Sequence, residues 1–389
     1  MFHLLCQKSV YRAAIKCKLV EHKETFLKRN PMQETWRRSF NAEHTCLESR
    51  ALPIVHHVKY ICDLPENHRF PMGKFPKVLE SLLRDQVITD KQVWAPKIAS
   101  TELLRRAHTE EYLSNFISGK ISEKDQRRTG FMWSSGLVQR CRYETGGTVL
   151  AAEIAMQRGL ACSTAGGTHH AFPSFGSGFC LLNDLAVAAK HLMSESTSRR
   201  RILIVDLDVH QGDGTAFIFK DEPDVFTFSV HCGKNFPVRK QQSDLDVSLE
   251  DDTEDKEYLS KVQEHLPWLL ERIRPDLVLY DSGVDPHWED ELGRLRLTDE
   301  GESFHSITHI IYRKIKAVFY VIDPSMSLCV LPVIGLYRRD LYVLQTVIKK
   351  GIPVATVIGG GYSRDIDRLG RRHSIIHRAA SKVWREHGF

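Results

Sequence analysis

The chain has 389 residues, 42% hydrophobic and 26% charged, as in an ordinary soluble globular protein with room for one large α/β domain or two smaller ones. No apolar stretch reaches the ~20 residues of a membrane span, and nine cysteines without a CxxC pair argue for reduced thiols in a cytosolic or nuclear protein, against a disulfide framework or a Cys zinc site. The net charge of +5 sits in residues 1–50, with 10 Lys/Arg against 5 Asp/Glu; the remaining 339 residues hold 44 of each, which argues against direct nucleic-acid binding by the main domain.

The opening MFHLLCQKSVYRAAIKCKLV carries four basic residues and no acid before Glu21. It reads as a basic extension without structure of its own. An organelle-targeting segment is the alternative, disfavoured by the scarcity of Ser and by Arg12 as the single arginine. Domain-like composition begins at Leu52. Leu52–Val55 predicts a short strand, Asn67–Lys74 a loop held by Pro71 and Gly73, and Lys77–Gln86 a helix on the stripe Val78, Leu79, Leu82, Leu83. Ser100–Ser118 predicts one or two short helices, and the polar residues 119–135 a surface loop. The small, apolar Gly146–Arg158 predicts a closely packed helix, Leu160–Thr164 a strand, and Asn183–Leu192 a helix.

Between those last two lie Gly166-Gly167-Thr168-His169-His170 and the Gly-rich Phe175–Cys180. Adjacent histidines in a loop are usually incidental. After a strand, beside glycines that admit close backbone approach, they become site candidates. Arg201–Thr215, RILIVDLDVHQGDGT, is the strongest stretch. Ile202–Val205 predicts a strand buried on both faces. If the extended chain continues, Asp206, Asp208 and His210 share one side of it. Acids packed with an imidazole repel or desolvate one another unless a cation neutralises them, so the reading is a metal site; the bland reading is a polar strand end. Gly212-Asp213-Gly214 predicts a turn, with Thr215 capping the next helix.

Val225–Val230 predicts a further strand, residues 233–253 a long polar loop holding Asn235-Phe236-Pro237, and Lys256–Arg272 an amphipathic helix despite Pro267. Asp276–Tyr280 predicts a strand that runs into Asp281-Ser282-Gly283-Val284-Asp285. Leu341–Lys349 predicts a helix, Ile352–Ile358 a strand emptying into Gly359-Gly360-Gly361-Tyr362, and Ile366–Glu386 one last helix. This alternation predicts a three-layer α/β/α fold around a mostly parallel sheet. Four strands end in His169/His170, Asp206/Asp208/His210, Asp285 and Tyr362; parallel strand ends converge on one edge, so these groups can share a pocket.

GGTHHAF (166–172), GSGFCLLND (176–184), VDLDVHQGDG (205–214), DSGVD (281–285) and GGGY (359–362), in this order, resemble the zinc-dependent histone deacetylase family of the arginase/deacetylase fold. FPMGKF (70–75) is most similar to its class IV branch. The resemblance spans Leu52 to the C-terminus. It implies that Asp208, His210 and Asp285 bind one Zn²⁺, that Asp206 partners His169 and Asp213 partners His170, that His170 is the general base and later acid, and that Tyr362 stabilises the oxyanion. It further implies a substrate channel at Gly178, Phe179 and Phe236, a basic residue, Lys74, at the inner end, and a structural K⁺ near Ser229 and Val230. The substrates implied are acylated lysines on histone tails or other proteins, with long fatty-acyl groups favoured by the class IV likeness; the setting implied is the nucleus, or nucleus and cytoplasm, with co-repressor proteins as partners.

Two features depart from the pattern. Leu297–Gly301 should lead directly into Leu336–Asp340, yet Glu302–Gly335 intervenes, apolar and rich in Ile and Val, as an unspliced intron or mispredicted exon would be. An insert that displaces the following helix would misplace Tyr362 and leave a non-catalytic binding subunit. No acid in 119–135 matches the one that grips the substrate backbone in other classes. A two-metal ureohydrolase of the same fold is disfavoured, because Gly212 stands where an acid would follow His210 and Asp285 lacks an Asp partner two residues on.

Overall fold

Why the chemistry collects at one place follows from the strand register. The computed structural model describes residues 50–299 and 335–388. Its strands are β1 (Ile54–Val55), β2 (Val93–Trp94), β3 (Leu160–Ser163), β4 (Ile202–Asp206), β5 (Val225–Cys232), β6 (Leu245–Leu249), β7 (Leu277–Asp281) and β8 (Val354–Val357). They form one sheet in the order β2-β1-β3-β8-β7-β4-β5-β6, and every pairing is parallel. The four central strands β3, β8, β7 and β4 are buried along their whole length, as apolar runs covered on both faces must be. Asp206 pairs with Asp281, Asp281 with Val357, and Asp206 with Ser229. The chain therefore leaves β4, β7, β8 and β5 along a single sheet edge.

Helices cover the sheet in the α/β/α manner. Ser135–Arg158 packs on Asp184–Ser194, on β3 and on β8, while Leu336–Lys349 packs on Ile375–His387 and Asp255–Ile273. The close packing expected of Gly146–Arg158 is found: a Cβ on Gly146 would overlap the Lys97 carbonyl, and one on Gly147 the Tyr60 hydroxyl. The helix starts earlier than its small residues suggested, at Ser135, where the Ser134 side chain caps the Leu137 N–H.

Several sequence expectations are corrected. Residues 119–135 hold a helix, Glu123–Thr129, capped by Ser122 and closed by Gly130 at φ 75°. Its polar residues belong to an exposed helix face, and the buried Phe131 follows it. Residues 233–253 contain β6, whose half-buried Leu245 and Val247 alternate with exposed Asp246 and Ser248, the pattern of an edge strand. Thr215 is not a cap: the helix Asp213–Phe219 starts from Gly212, and the Thr215 hydroxyl meets Asn183 Nδ2 at 3.0 Å. The last helix is two, Ile366–His373 and Ile375–His387, broken at Ser374, whose hydroxyl donates to the Arg371 carbonyl at 2.6 Å.

The expectations for residues 1–50 and 302–335 lie outside the described residues, save Arg50 and Gly335. The frame on either side of 300–334 is closed. Leu336 N donates to Thr298 O at 2.8 Å and Tyr337 N to Asp299 O at 3.0 Å. Buried Arg339 then donates to the carbonyls of Leu207, Ser282 and Gly283, tying this helix to the segments that follow β4 and β7.

Candidate active site

β4 stops at Asp206, and the chain does not stay extended. Asp208 N donates to Asp206 Oδ1 at 3.2 Å and His210 N to Asp208 Oδ1 at 2.9 Å, so side-chain acceptors satisfy buried N–H groups that have left the ladder. The expected single-sided row is thereby divided. Asp206 turns to His169, whereas Asp208 joins His210 and Asp285.

In that second group His210 Nδ1 lies 3.0 Å from Asp208 Oδ1 and 3.1 Å from Asp285 Oδ2. All three ligand atoms lie within 4.8 Å of one another, and all three residues are buried. Backbone N–H groups hold the carboxylates from behind: Gly360 N donates to Asp208 Oδ2 at 2.7 Å and Val209 N to Asp285 Oδ1 at 2.8 Å. Electrostatics mark a centre short of positive charge. Burial and the Asp208 charge push Asp285 up to about 6; His210, which burial alone would lower, is carried to about 10 by its two carboxylates. Two carboxylates and an imidazole, with positions left for water and substrate, fit a divalent ion such as Zn²⁺.

The tandem histidines stand beside this group. His169 Nδ1 meets Asp206 Oδ2 at 2.7 Å, His170 Nδ1 meets Asp213 Oδ1 at 2.6 Å, and the two Nε2 atoms are 3.2 Å apart. Their titrations are driven apart. Burial favours the neutral form of both, but at His169 the charges of Asp206 and Asp208 more than reverse it, and the imidazolium is held well above the usual range. At His170 burial and the His169 charge prevail over Asp213 and lower it to about 4. The two neighbouring rings are thus pushed in opposite directions, His169 toward the cation and His170 toward the neutral base.

Tyr362 is buried, its ring 6.3 Å from His210 and 5.7 Å from Phe179. Burial and the charges of Asp285 and Asp208 push its phenol far up, so it remains a hydrogen-bond donor. A cavity of about 380 Å³, counted to its open mouth, is lined by His169, His170, Phe179, Asp208 and Tyr362. Gly178 and Phe179 both take positive φ, 51° and 64°, which directs the Phe179 ring among Phe70, Phe131 and Tyr362. Phe236 is not part of the lining; it stands 41% exposed, edge-on to His170 at 4.8 Å. Lys74 is buried in the cavity wall, donating to the carbonyls of Gly359 (3.2 Å) and Gly361 (3.4 Å), and burial lowers it to about 8.

The residue reading missed two features. Arg140 and Glu144, a buried pair at 2.9 Å, also line the cavity; their helical spacing of four was legible, their burial was not. Asp281, the last residue of β7, is fully buried, and neither carboxylate oxygen has a hydrogen-bond partner; His169 Nδ1 stands 3.9 Å from Oδ2. Its place at the end of β7 is the signal the sequence carries for it. His169, Asp206 and Asp281 form a second acidic group, but it shares no carboxylate with the first, as a bridged two-metal centre would require. Ser229 lies in register with Asp206, its hydroxyl 3.0 Å from His231 Nδ1, and Val230 is buried beside it.

A parallel sheet whose strand ends gather two His–Asp pairs, a two-Asp, one-His group and a tyrosine has the arginase/deacetylase-like architecture. The family model described as the histone deacetylase domain matches residues 68–322. An uncharacterized protein of Picosynechococcus sp. is 47% identical over 332 residues, covering 85% of this chain and 99% of its own. Acetoin utilization protein AcuC of Staphylococcus aureus is 30% identical over 269 residues (64% of this chain, 67% of its own), and histone deacetylase 2 of Arabidopsis thaliana 30% over 311 (78% and 71%). The crystal structure of an HDAC homolog complexed with SAHA superposes with a TM-score of 0.62 at 22% identity, covering 85% of this chain and 84% of that one. The chain belongs to the histone deacetylase family, whose general activity is that of a deacetylase hydrolase.

Proposed function

We propose that the protein hydrolyses the acyl amide on lysine side chains, those of histone tails and other proteins, as a single-zinc enzyme. Asp208, His210 and Asp285 would hold the ion, which when bound polarises the amide carbonyl and makes water a nucleophile near neutral pH. His170, neutral and oriented by Asp213, accepts the proton from the attacking water and returns it to the departing lysine amine, leaving a free amine and a carboxylate. His169, kept cationic by Asp206, and the Tyr362 phenol face the charge that develops on the amide oxygen. Phe179 and Gly178 flank the lysine stem, with Phe236 at the mouth. The observation that carries this reading is geometric: two buried His–Asp dyads, at 2.7 and 2.6 Å, stand with their Nε2 atoms 3.2 Å apart beside a buried three-ligand group.

The charged side chains in the cavity wall, Lys74 and the Arg140–Glu144 pair, favour short acyl groups over the long chains that the class IV likeness implies. The class IV branch, the nucleus or nucleus and cytoplasm as location, co-repressor partners and a K⁺ at Asp206, Ser229 and Val230 are parts of the same proposal that rest on the resemblance. The closed frame at Thr298–Leu336 favours catalysis over the non-catalytic reading. The test is an acyl-length series on a lysine peptide with the native chain, Tyr362→Phe and His170→Ala. Turnover should fall by about 10²–10³ in each variant, with zinc staying at one per chain. Undiminished turnover in both would remove the mechanism; two metal ions per chain would point to the ureohydrolase alternative.

A further inference from the structure

Tyr362 follows three glycines, which contribute no side-chain packing to fix its backbone. The segment that begins at the ligand Asp285 restrains it. Tyr362 N donates to Asp290 Oδ2 at 2.7 Å, and Tyr362 O accepts from Glu291 N at 3.1 Å, so both polar groups of its backbone are held by neighbouring residues of one turn. Asp290 Oδ1 accepts from Leu292 N (2.8 Å) and Gly293 N (2.9 Å), which shapes that turn, and Arg364 N returns to Glu291 Oε1 at 2.8 Å. At the other end, Gly293 packs so tightly on the Asp285 carbonyl that a Cβ there would overlap it. Val284 N meanwhile donates to Gly360 O at 2.8 Å. One turn therefore touches the ligand Asp285 and the backbone of the tyrosine at once.

We propose that Asp290 is a positioning residue: it acts through Tyr362, fixing the phenol relative to the Asp285 side of the centre. This rests on the deacylase reading above. The two carboxylate oxygens divide the work, one for the turn and one for Tyr362. Asp290→Asn keeps one acceptor but turns an amide N–H toward a backbone donor. Asp290→Ser retains a hydroxyl able to hold the Leu292–Gly293 turn yet too short to reach Tyr362 N.

The experiment measures kcat, KM, zinc per chain and thermal unfolding for both variants, each alone and combined with Tyr362→Phe. The Ser variant serves where Asn does not fold. Expected for each single variant is a kcat lower by about 10–100-fold, the range for loss of an outer partner, with KM nearly unchanged and zinc at one per chain. In the Tyr362→Phe background, adding the Asp290 change should cost almost nothing more, because the group it positions is gone. A full-strength loss superimposed on Tyr362→Phe, native kcat in both single variants, or loss of zinc would overturn the assignment. Native turnover in Tyr362→Phe alone would remove the tyrosine from the mechanism, and this inference with it, while leaving the deacylase reading to the His170→Ala variant.

Discussion

Gly360→Ala adds one methyl group, and the structure says where it must go. Gly360 lies outside the positive-φ positions, so alanine is acceptable to the backbone and the effect is one of space. The Cβ would fall on Asp285 Oδ2 and 2.7 Å from Asp208 Oδ2. The backbone has little room to yield, since Gly360 N is bound to Asp208 and Gly360 O accepts from Val284 N. The Asp285 carboxylate must therefore withdraw by roughly 1 Å to restore contact distance, whereas a zinc–oxygen bond tolerates only about 0.2 Å. Zinc should bind at least about 100-fold more weakly, and the metal-free fold should lose about 1–3 kcal/mol from overpacking. Chelator competition gives the zinc affinity, thermal unfolding the stability. Gly136→Ala, whose Cβ would sit at an ordinary 3.4 Å from Cys62, is the control. Native zinc affinity in Gly360→Ala would refute the placement of Asp208 and Asp285 around one ion.

Three further outcomes follow from the same geometry. A base lowered to about 4 is already neutral at pH 6, so over the pH range in which zinc stays at one per chain kcat/KM should fall as pH drops through about 4; removing the raising influence in Asp213→Asn should move this limb lower, and an acid limb centred near 6.5 at undiminished zinc content would contradict the assignment. Asp281, raised far above its ordinary value by burial and the Asp206 charge, ionises more readily in the unfolded chain, so it destabilises the fold as pH rises above about 4. Asp281→Asn should thus unfold at higher temperature at pH 7, by about 1–2 °C per kcal/mol recovered, with the gap closing on acidification; a gap that widens in acid would reverse the argument. Excision of residues 301–334 joins Glu300 to Gly335, and the existing bonds of Leu336 to Thr298 and Tyr337 to Asp299 then each close a loop of only three intervening residues. Fold, zinc content and turnover should survive; loss of turnover in a folded product would show that those residues contribute to the site.

The parallel α/β class was legible in the residues, because a strand buried on both faces needs an unbroken apolar run, and Ile202–Val205 and Leu277–Tyr280 have one. The site residues were legible for a related reason: Asp208, His210, Asp285, His169 and His170 sit just beyond such runs, where parallel strands deliver their chemistry. β6 and the helix Glu123–Thr129 were not, since their exposed faces look like loop composition and only their neighbours make them ordered. Nor does residue order reveal which carboxylate serves which imidazole. Asp206 and Asp208 are two residues apart, yet one orients His169 and the other joins His210, because the chain turns once it leaves the ladder. Asp281 became a buried acid with unpartnered oxygens, and Asp290 a clamp on Tyr362, through contacts between segments some 70 or more residues apart. The order of side chains determined which groups reach the sheet edge; which atoms then meet depends on how loops from different strands satisfy their backbone donors against one another, and that is settled only in three dimensions.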